Sequence, residues 1–323
     1  MKQAVLELLK STREYISGEE ISHRMQVSRT AIWKHIQGLR VEGYEIDSQP
    51  RLGYRLLSTP DRLYPAEIYD GLATQAFGSS IVYFSSTGST NDVAKQIAEQ
   101  GAAEGTLVVA EEQTGGRGRL GRKWVSPQGT GIWMSLILRP QILPQDAPKI
   151  TLVAALALVK AVRSLTGLQV SIKWPNDVVY QEQKIVGILT EMTGELDRVK
   201  YLVVGMGINV NTQQEDFPEE LRPIATSIFL QTKQQQSRVA LVQGVLKHFE
   251  DLYLTFLSGD FASILAEWKA NCSTIGKDIR VTGLRQSLVG KALDVAHDGT
   301  LQLQLSDGTI TSVVAGDIDS KLD

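Results

Sequence analysis

The sequence predicts an α+β fold in which two small domains flank a larger mixed sheet with helices. Three observations support it. Two capped helices and a hairpin pattern open the chain, buried strands alternate with amphipathic helices in the middle, and short alternating strands with Asp-Gly turns close it. These patterns predict domains at residues 1–64, 65–271 and 272–323. We expect a winged helix-turn-helix first and a small SH3-like β-barrel last.

Composition excludes several classes of protein. Of the 323 residues, 42% are hydrophobic and 21% are charged. No apolar run reaches the ~18 residues of a membrane span, and the N-terminus lacks the organisation of a signal peptide. A single cysteine, Cys272, permits no internal disulfide, and the four His residues show no metal-ligand spacing. We therefore expect a cytoplasmic protein with no membrane partner.

The first domain carries the pattern of a DNA-binding motif. Ser17 caps one short helix and Ser28 caps the next, whose buried face holds Ile32, Ile36 and Leu39. The DNA-binding candidates on this second helix are Ser28, Arg29, Thr30, Trp33 and Lys34. A hairpin with a basic tip follows, and residues 1–64 carry 10 Lys/Arg against 8 Asp/Glu. A small helical protein-interaction domain is the alternative, but the basic hairpin favours DNA binding.

The central domain is organised around a glycine- and arginine-rich stretch at residues 113–124, the arginine loop. Glycine lets the backbone approach a ligand, successive N–H groups can form an anion-binding nest, and arginine offers paired donors to phosphate or carboxylate. Predicted strands at 106–110 and 131–138 flank the loop. It lacks both the Gly-Lys-Ser/Thr and the following helix of a P-loop. The pattern favours a phosphate-binding loop over an RNA-binding Arg-Gly segment, which is usually of low complexity.

Other polar groups of this domain lie at predicted strand ends. Residues 89–91 open a helix after a strand, where a plain helix cap is the alternative. Residues 176 and 177 follow a strand in a turn that contains Pro175. Lys184 opens another strand, where a solvated turn lysine is the alternative. Glycines at 205 and 207, expected just beyond a strand, suit close approach of the backbone to a ligand.

Five motifs occur in order along this domain: STN at 89–91, GGRGRLGRKW at 115–124, KWPND at 173–177, KIVGILTE at 184–191 and GMGIN at 205–209. Together they resemble biotin–protein ligases. With the helix-turn-helix, the resemblance extends to the bifunctional bacterial form, the biotin operon repressor, and it covers essentially the whole chain. It implies a central fold similar to class II aminoacyl-tRNA synthetases, a mixed sheet with helices on one face.

The resemblance also implies an activity. Biotin and ATP, with Mg²⁺, give biotinoyl-5′-AMP, and a lysine of a biotin carboxyl carrier protein domain then accepts biotin. Bound adenylate favours a homodimer that represses biotin synthesis genes at operator DNA. A carboxylate is already a nucleophile, so this chemistry needs clustered positive charge and alignment. The alternatives are a lipoate–protein ligase of related fold and a regulator that binds biotinoyl-AMP without turnover.

Site residues follow from the resemblance position by position. The implied biotin-binding residues are Ser89, Thr90, Asn91, Gln113, Arg117, Gly118, Arg119 and Lys184. The implied nucleotide-binding residues are Arg119, Arg122, Asn176 and Asn209. The candidate catalytic residues are Lys184, Arg119 and Asp177, the last as a base or orienting group for the acceptor lysine. No metal ligand is predicted. The C-terminal barrel is either a structural cap or, as the resemblance implies, part of ATP and acceptor binding.

Overall fold

The structure is a computed structural model that describes residues 1–12, 14–283 and 287–319. The chain divides into two compact units, Met1–Arg62 and Leu63–Asp323, called here the N-terminal unit and the larger unit. The predicted end of the last domain, residue 323, lies outside the described residues.

The N-terminal unit consists of three helices and an antiparallel hairpin. Its elements are α1 (Lys2–Ser11), α2 (Gly18–Met25), α3 (Arg29–Val41), β1 (Glu45–Gln49) and β2 (Gly53–Ser58). Both predicted caps are confirmed: the Ser17 hydroxyl accepts the Glu20 N–H at 3.0 Å, and the Ser28 hydroxyl accepts the Ala31 N–H at 3.2 Å. The buried face of α3 is the predicted one, so its opposite face is open to solvent.

Gly53 allows the hairpin to close against the segment before α2. Ile16 and Tyr54 exchange backbone hydrogen bonds of 2.9 and 2.8 Å. A Cβ at Gly53 would lie 2.0 Å from the Ile16 carbonyl oxygen, and the φ of +109° is one that L side chains rarely adopt. We expect Gly53→Ala to destabilise this unit by more than the ~1–3 kcal/mol of backbone strain alone.

Amide hydrogen exchange in the full chain checks this expectation. In Gly53→Ala, the amide hydrogens of residues 1–62 should exchange faster than in the unsubstituted protein, and those of the larger unit should exchange at the same rate. Gly38→Ala is the matched control, because Gly38 lies inside α3 and the nearest atom to its added Cβ would be 3.6 Å away. That substitution should be neutral or stabilising. Equal exchange rates across residues 1–62 in Gly53→Ala and Gly38→Ala would contradict the steric explanation for Gly53.

The larger unit is built on a seven-stranded mixed sheet. Its strands are β3 (Ile81–Phe84), β4 (Leu107–Ala110), β5 (Ile132–Leu138), β6 (Ser171–Lys173), β7 (Asp177–Tyr180), β8 (Gln183–Gly194) and β9 (Val199–Ile208). The order across the sheet is β3-β4-β5-β9-β8-β7-β6. Strands β3 and β4 are parallel, and the other neighbours are antiparallel.

Helices cover the two faces of this sheet unequally. They are α4 (Pro65–Tyr69), α5 (Thr90–Glu99), α6 (Ala147–Thr166), α7 (Ile228–Thr232), α8 (Arg238–Leu257) and α9 (Phe261–Ala270). The main core joins α6, α8 and α9 to one face of the sheet. A smaller cluster places α5 on the opposite face, over Val108, Ile137 and Val203. The resemblance implied helices on one face, and α5 is the departure from that arrangement.

The glycines at 205 and 207 lie inside a strand and not beyond its end as predicted. They belong to β9, where Gly205 pairs with Ser135 and Gly207 pairs with Trp133 of β5. Strands on both sides of β9 supply its ladder hydrogen bonds, and these override the weak strand preference of glycine. The sheet therefore extends under the region where ligand-binding groups were expected.

The C-terminal segment forms a five-stranded antiparallel sheet. Its strands are β10 (Asp278–Thr282), β11 (Ser287–Val295), β12 (Leu301–Leu305), β13 (Ile310–Val313) and β14 (Asp317–Asp319), in the order β13-β12-β11-β10-β14. The alternating pattern predicts the first four, whereas the three-residue β14 is too short to leave a pattern. Trp174 Nε1 donates to the Gly299 carbonyl at 3.0 Å, which joins the turn after β6 to this sheet. The predicted α+β class is confirmed.

Candidate functional site

Three glycines expose the backbone of the large sheet beneath α5. Gly187 of β8 pairs with Gly207 of β9, and Gly205 lies two residues earlier on the same face. A Cβ at Gly205 would lie 2.1 Å from Asn91 Oδ1, and a Cβ at Gly207 would lie 2.4 Å from Trp124 Nε1. A Cβ at Gly187 would lie 2.7 Å from the same indole. This glycine strip (Gly187, Gly205 and Gly207) lets the start of α5 and the arginine loop rest directly on the sheet.

The start of α5 supplies a buried polar cluster above the glycine strip. Ser89, Thr90 and Asn91 are each at most 5% exposed. The Thr90 N–H and hydroxyl both donate to Gln113 Oε1, at 2.9 and 3.0 Å, and Gln113 Nε2 donates to Ser126 Oγ at 2.9 Å. The Ser89 side chain makes no capping hydrogen bond. A plain helix cap therefore does not describe these residues, and their placement suits a polar ligand.

Lys184 extends toward the glycine strip beside one carboxylate. Its Nζ forms a salt bridge with Asp177, 2.7 Å from the buried Oδ1. The same Nζ lies 5.2 Å from the Trp124 ring centroid and 3.2 Å from where a Cβ of Gly187 would be. The Lys184 side chain is 31% exposed, so it is a partly buried cation and not a solvated turn lysine.

Arg119 and Arg122 connect the arginine loop to two other segments. Arg119 Nη1 donates to Asn176 Oδ1 at 2.8 Å, and Arg122 Nη2 lies 2.6 Å from Asp317 Oδ2 in β14. Burial lowers the pKa of the Arg119 guanidinium, while the carboxylates of Asp317 and Asp177 oppose that shift. Because an arginine stays charged in a protein, its burial has a free-energy cost that a bound anion would offset.

Arg117 belongs to a balanced charge cluster at the start of α5. It pairs with Asp92 and lies 3.8 Å from Glu191 Oε2. Lys95 Nζ lies 2.8 Å from Glu191 Oε1. The cluster borders Asn91 through Glu191, so Arg117 lies close to the polar start of α5.

The backbone of the arginine loop is bonded to the protein at several of the amides expected to form an anion nest. The N–H groups of Gly115, Gly118, Arg122 and Trp124 donate to protein carbonyls at distances between 2.7 and 3.1 Å. The loop also contains a short 3-10 turn, Arg119–Gly121, with Leu120 at a φ of 55°. These four amides are therefore engaged within the protein and are not available to an anion nest.

Asn209 lies behind Lys184 and not among the loop cations. Its side chain is 4% exposed, and its Nδ2 donates to the Thr226 carbonyl at 3.1 Å. Its N–H donates to the Ile185 carbonyl, and the Lys184 carbonyl accepts the Thr226 N–H, both at 2.9 Å. In this arrangement Asn209 holds the segment that supports the base of Lys184.

Sequence reasoning missed three polar groups of the cluster: Trp124, Ser135 and Glu191. Ser135 is fully buried, and its hydroxyl lies 2.8 Å from Thr90 Oγ1 and 2.6 Å from Asn91 Oδ1. A single hydroxyl within the apolar strand Ile132–Leu138 is the signal that identifies it, because a buried polar group needs a partner.

In the N-terminal unit, the five DNA-binding candidates are exposed on or just before α3: Ser28, Arg29, Thr30, Trp33 and Lys34. Arg29, Thr30 and Trp33 line an open groove together with Gln49 at the end of β1 and Arg51 of the hairpin turn. Trp33 is 52% exposed. The groove presents basic, amide and aromatic groups together, which suits a nucleic acid backbone.

Two absences bear on the chemistry. Within residues 1–12, 14–283 and 287–319, no three His, Cys, Asp or Glu side chains are grouped as ligands for a metal ion. In the same part of the chain, no helix combines the length and apolarity that a membrane crossing requires.

Three segments match known families. Residues 83–209 match the Biotin/lipoate A/B protein ligase family, residues 2–55 match an HTH domain, and residues 274–320 match the Biotin protein ligase C terminal domain. The glycine strip, the start of α5 and the arginine loop all lie within the first match. Fold and site thus define a ligase of the biotin/lipoate class joined to a helix-turn-helix.

Relatives match over nearly the whole chain. The chain is 42% identical to the Bifunctional ligase/repressor BirA of Bacillus subtilis over 320 residues, which cover 99% of this chain and 98% of the relative. It is 30% identical to that of Escherichia coli, covering 96% and 94%. It is also similar to the structure of Biotin protein ligase from Aquifex aeolicus in complex with biotin and ATP, with a TM-score of 0.64, 28% identity, and coverage of 75% of this chain and 98% of the other. The chain belongs to the bifunctional ligase/repressor family.

Proposed function

We propose that this protein is an ATP-dependent biotin ligase and a transcriptional repressor. It forms biotinoyl-5′-AMP from biotin and ATP and transfers biotin to a lysine of a carboxylase carrier domain. It represses biotin synthesis genes with biotinoyl-AMP as corepressor. The observation that carries the proposal is the meeting of Lys184, the arginine loop and the buried polar start of α5 over the glycine strip.

Adenylation requires positive charge where two anions meet. The biotin carboxylate attacks the α-phosphate of ATP and pyrophosphate leaves, so groups that neutralise and align the reactants lower the barrier. We assign Lys184 and Arg119 to the reacting carboxylate and α-phosphate, Arg117 to the carboxylate, and Arg122 to the phosphates. The internal partners of these cations give way when the anionic substrates bind.

The remaining predicted residues complete the two subsites. Ser89, Thr90, Asn91 and Gln113 form the proposed end of the pocket for the ureido ring, and Gly118 places the loop backbone beside the biotin carboxylate. Asn176 orients Arg119 near the adenylate, and Asn209 supports its rim. In the transfer step, Asp177 orients or deprotonates the acceptor lysine.

We also propose that ATP binds with Mg²⁺. Asp177 Oδ1 is buried and lies 2.7 Å from Lys184 Nζ, so we assign it no metal and expect the ion to be held mainly by phosphate oxygens. When bound, Mg²⁺ would shield the phosphate charge. The lack of a three-ligand cluster among the described residues suits an ion that arrives with the nucleotide.

Labelled biotin tests the ligase proposal. With ATP, Mg²⁺ and a biotin carboxyl carrier domain, the label should become attached to one lysine of the acceptor, and an acceptor with arginine at that lysine should remain unlabelled. Labelling by lipoate and not by biotin would identify a lipoate–protein ligase. Biotinoyl-AMP-dependent DNA binding without any transfer would leave a non-catalytic regulator.

The repressor proposal places α3 against DNA. Arg29→Ala and Lys34→Ala should each weaken binding to duplex DNA and reduce the slope of log K against log salt by about 1, because each cation neutralises about one phosphate. Titration of the full chain with random-sequence duplex at several salt concentrations measures both effects. Lys2→Ala is the control, since Lys2 lies on α1 and pairs with Glu42. Unchanged slopes for both α3 variants would contradict the assignment.

We propose that the adenylate-bound protein is a homodimer, which would present two helix-turn-helix units to a two-fold operator. The register of β8 with β7 ends at Gly187, and Asn176 bonds to the backbone of Ile188, while β8 continues to Gly194. The outer edge of β8 beyond Ile188 therefore offers a pairing surface. Adenylate favours the dimer only if it binds the dimer more tightly.

The three predicted domains divide the proposed roles. Residues 1–64 bind DNA, residues 65–271 carry out adenylation, and residues 272–323 contribute to ATP and acceptor binding through contacts such as Arg122 with Asp317. We propose a cytoplasmic location, because the proposed partners are ATP, a carboxylase and operator DNA.

A further inference from the structure

A buried hydrogen-bond chain runs behind the proposed ureido pocket. Asn91 Nδ2 donates to Glu191 Oε2 at 2.8 Å and to the Leu189 carbonyl at 3.2 Å. On its other side, Asn91 Oδ1 lies 2.6 Å from the Ser135 hydroxyl, which lies 2.8 Å from Thr90 Oγ1. The chain therefore connects a charged residue of β8 to the start of α5.

The hydrogen-bonding groups of Asn91 are used within the protein. Both of its N–H groups are donated, one to a carboxylate and one to a backbone carbonyl, and its oxygen accepts from Ser135. The side chain is buried, and its Oδ1 occupies the space that a Cβ at Gly205 would need. Asn91 is therefore part of the wall of the pocket and not one of its free contacts.

Glu191 sets the direction of this chain. A carboxylate and a backbone carbonyl only accept hydrogen bonds, so Glu191, helped by the Leu189 carbonyl, turns the Asn91 Nδ2 toward itself and the Asn91 oxygen toward Ser135. Burial raises the pKa of Glu191, but hydrogen bonds from Lys95 and Asn91 outweigh it and hold the pKa below its usual range. The carboxylate is therefore ionised at neutral pH, and its role as an acceptor is fixed.

Ser135 fixes the hydrogen-bond direction of the Thr90 hydroxyl in turn. The Ser135 hydroxyl has one proton, and donating it to Asn91 leaves its oxygen as an acceptor toward Thr90. Ser135 Oγ and Thr90 Oγ1 lie 2.8 Å apart, so once Ser135 has donated to Asn91 the proton between them comes from Thr90. The Thr90 N–H still donates to Gln113 Oε1, and the Thr90 hydroxyl keeps its lone pairs for a ligand. A cyclic urea offers two N–H donors to such an acceptor.

We propose that Glu191 and Asn91 are positioning residues for biotin: together with Ser135 they fix the Thr90 hydroxyl as the acceptor for a ureido N–H. The inference rests on the proposed biotin ligase function. The resemblance implied that Asn91 contacts biotin directly, whereas here Asn91 supports the residues that do. Glu191 and Ser135 become additional determinants of specificity for a cyclic urea.

Glu191→Gln in the full chain tests this role. Glutamine keeps the size of the side chain but both donates and accepts, so the orientation of the Asn91 amide is then held by the longer hydrogen bond to the Leu189 carbonyl and by Ser135. In biotin-dependent pyrophosphate exchange, the KM for biotin should rise about 10-fold, as expected for one weakened charge-assisted hydrogen bond, while the KM for ATP stays unchanged. Ser135→Ala should also raise the KM for biotin alone, and it leaves the Glu191 ion pairs in place.

Glu99→Gln is the matched control. Glu99 is the last residue of α5, the helix that begins at Thr90, and like Glu191 it pairs with a lysine, Lys200, at 2.7 Å. It should leave both KM values unchanged. An unchanged KM for biotin in Glu191→Gln, a parallel rise in both KM values, or the same effect in Glu99→Gln would overturn the positioning role. Failure of the unsubstituted protein to exchange with biotin would instead remove the proposed ligase function.

Discussion

Lys184→Ala is expected to lower the rate of biotin-dependent pyrophosphate exchange by about 10²–10³-fold, the usual effect of removing one well-placed donor to developing charge. Lys184 Nζ is held beside the Trp124 ring and Gly187, where the reacting carboxylate and α-phosphate would meet. The loss should appear mainly in kcat, because the lysine stabilises charge that develops during the reaction.

Lys200→Ala is the control for removing a cation from the same sheet. Lys200 lies on β9 and pairs with Glu99 at a largely exposed site. Its replacement should leave the exchange rate unchanged. A Lys184→Ala protein that exchanges at close to the normal rate would remove Lys184 from the chemical step, even if biotin binding were weakened.

Glu111→Ala is expected to destabilise the larger unit by about 3–5 kcal/mol, because it removes the carboxylate that faces a buried guanidinium. Arg238 Nη1 lies 2.8 Å from Glu111 Oε2, and the two side chains are 2% and 3% exposed. Glu111 Oε1 also accepts the Leu63 N–H at 2.8 Å. Since Glu111 lies two residues before Gln113, its loss should also loosen the start of the arginine loop.

Urea denaturation followed by tryptophan fluorescence measures this loss, because four of the five tryptophans lie in the larger unit. Lys247→Ala is the control: Lys247 and Asp251 form an exposed pair within α8, and an exposed pair contributes at most ~1 kcal/mol. If Glu111→Ala and Lys247→Ala had the same urea midpoint, the buried pair would contribute no more to the free energy of unfolding than the exposed pair.

Local patterns in the sequence predict much of the fold. Ser17 and Ser28 cap the helices expected of them. Short motifs also identify Thr90, Gln113 and Lys184 as candidate site residues. In each case the signal lies within a few residues of the chain.

What the sequence does not predict depends on pairing between distant segments. Gly205 is extended because β5 and β8 flank it, and Arg122 meets Asp317 from a strand of three residues. None of these contacts has a local pattern. The proposed role of Glu191 can be inferred only from the structure, in which α5 places Asn91 between Glu191 of β8 and Ser135 of β5.

Pyrophosphate exchange into ATP by the unsubstituted full chain tests the central claim most directly. We expect exchange that depends on added biotin and does not occur with lipoate or without an added acid. Exchange with lipoate alone, or tight biotin binding with no exchange, would contradict the claim that the groups over the glycine strip adenylate biotin.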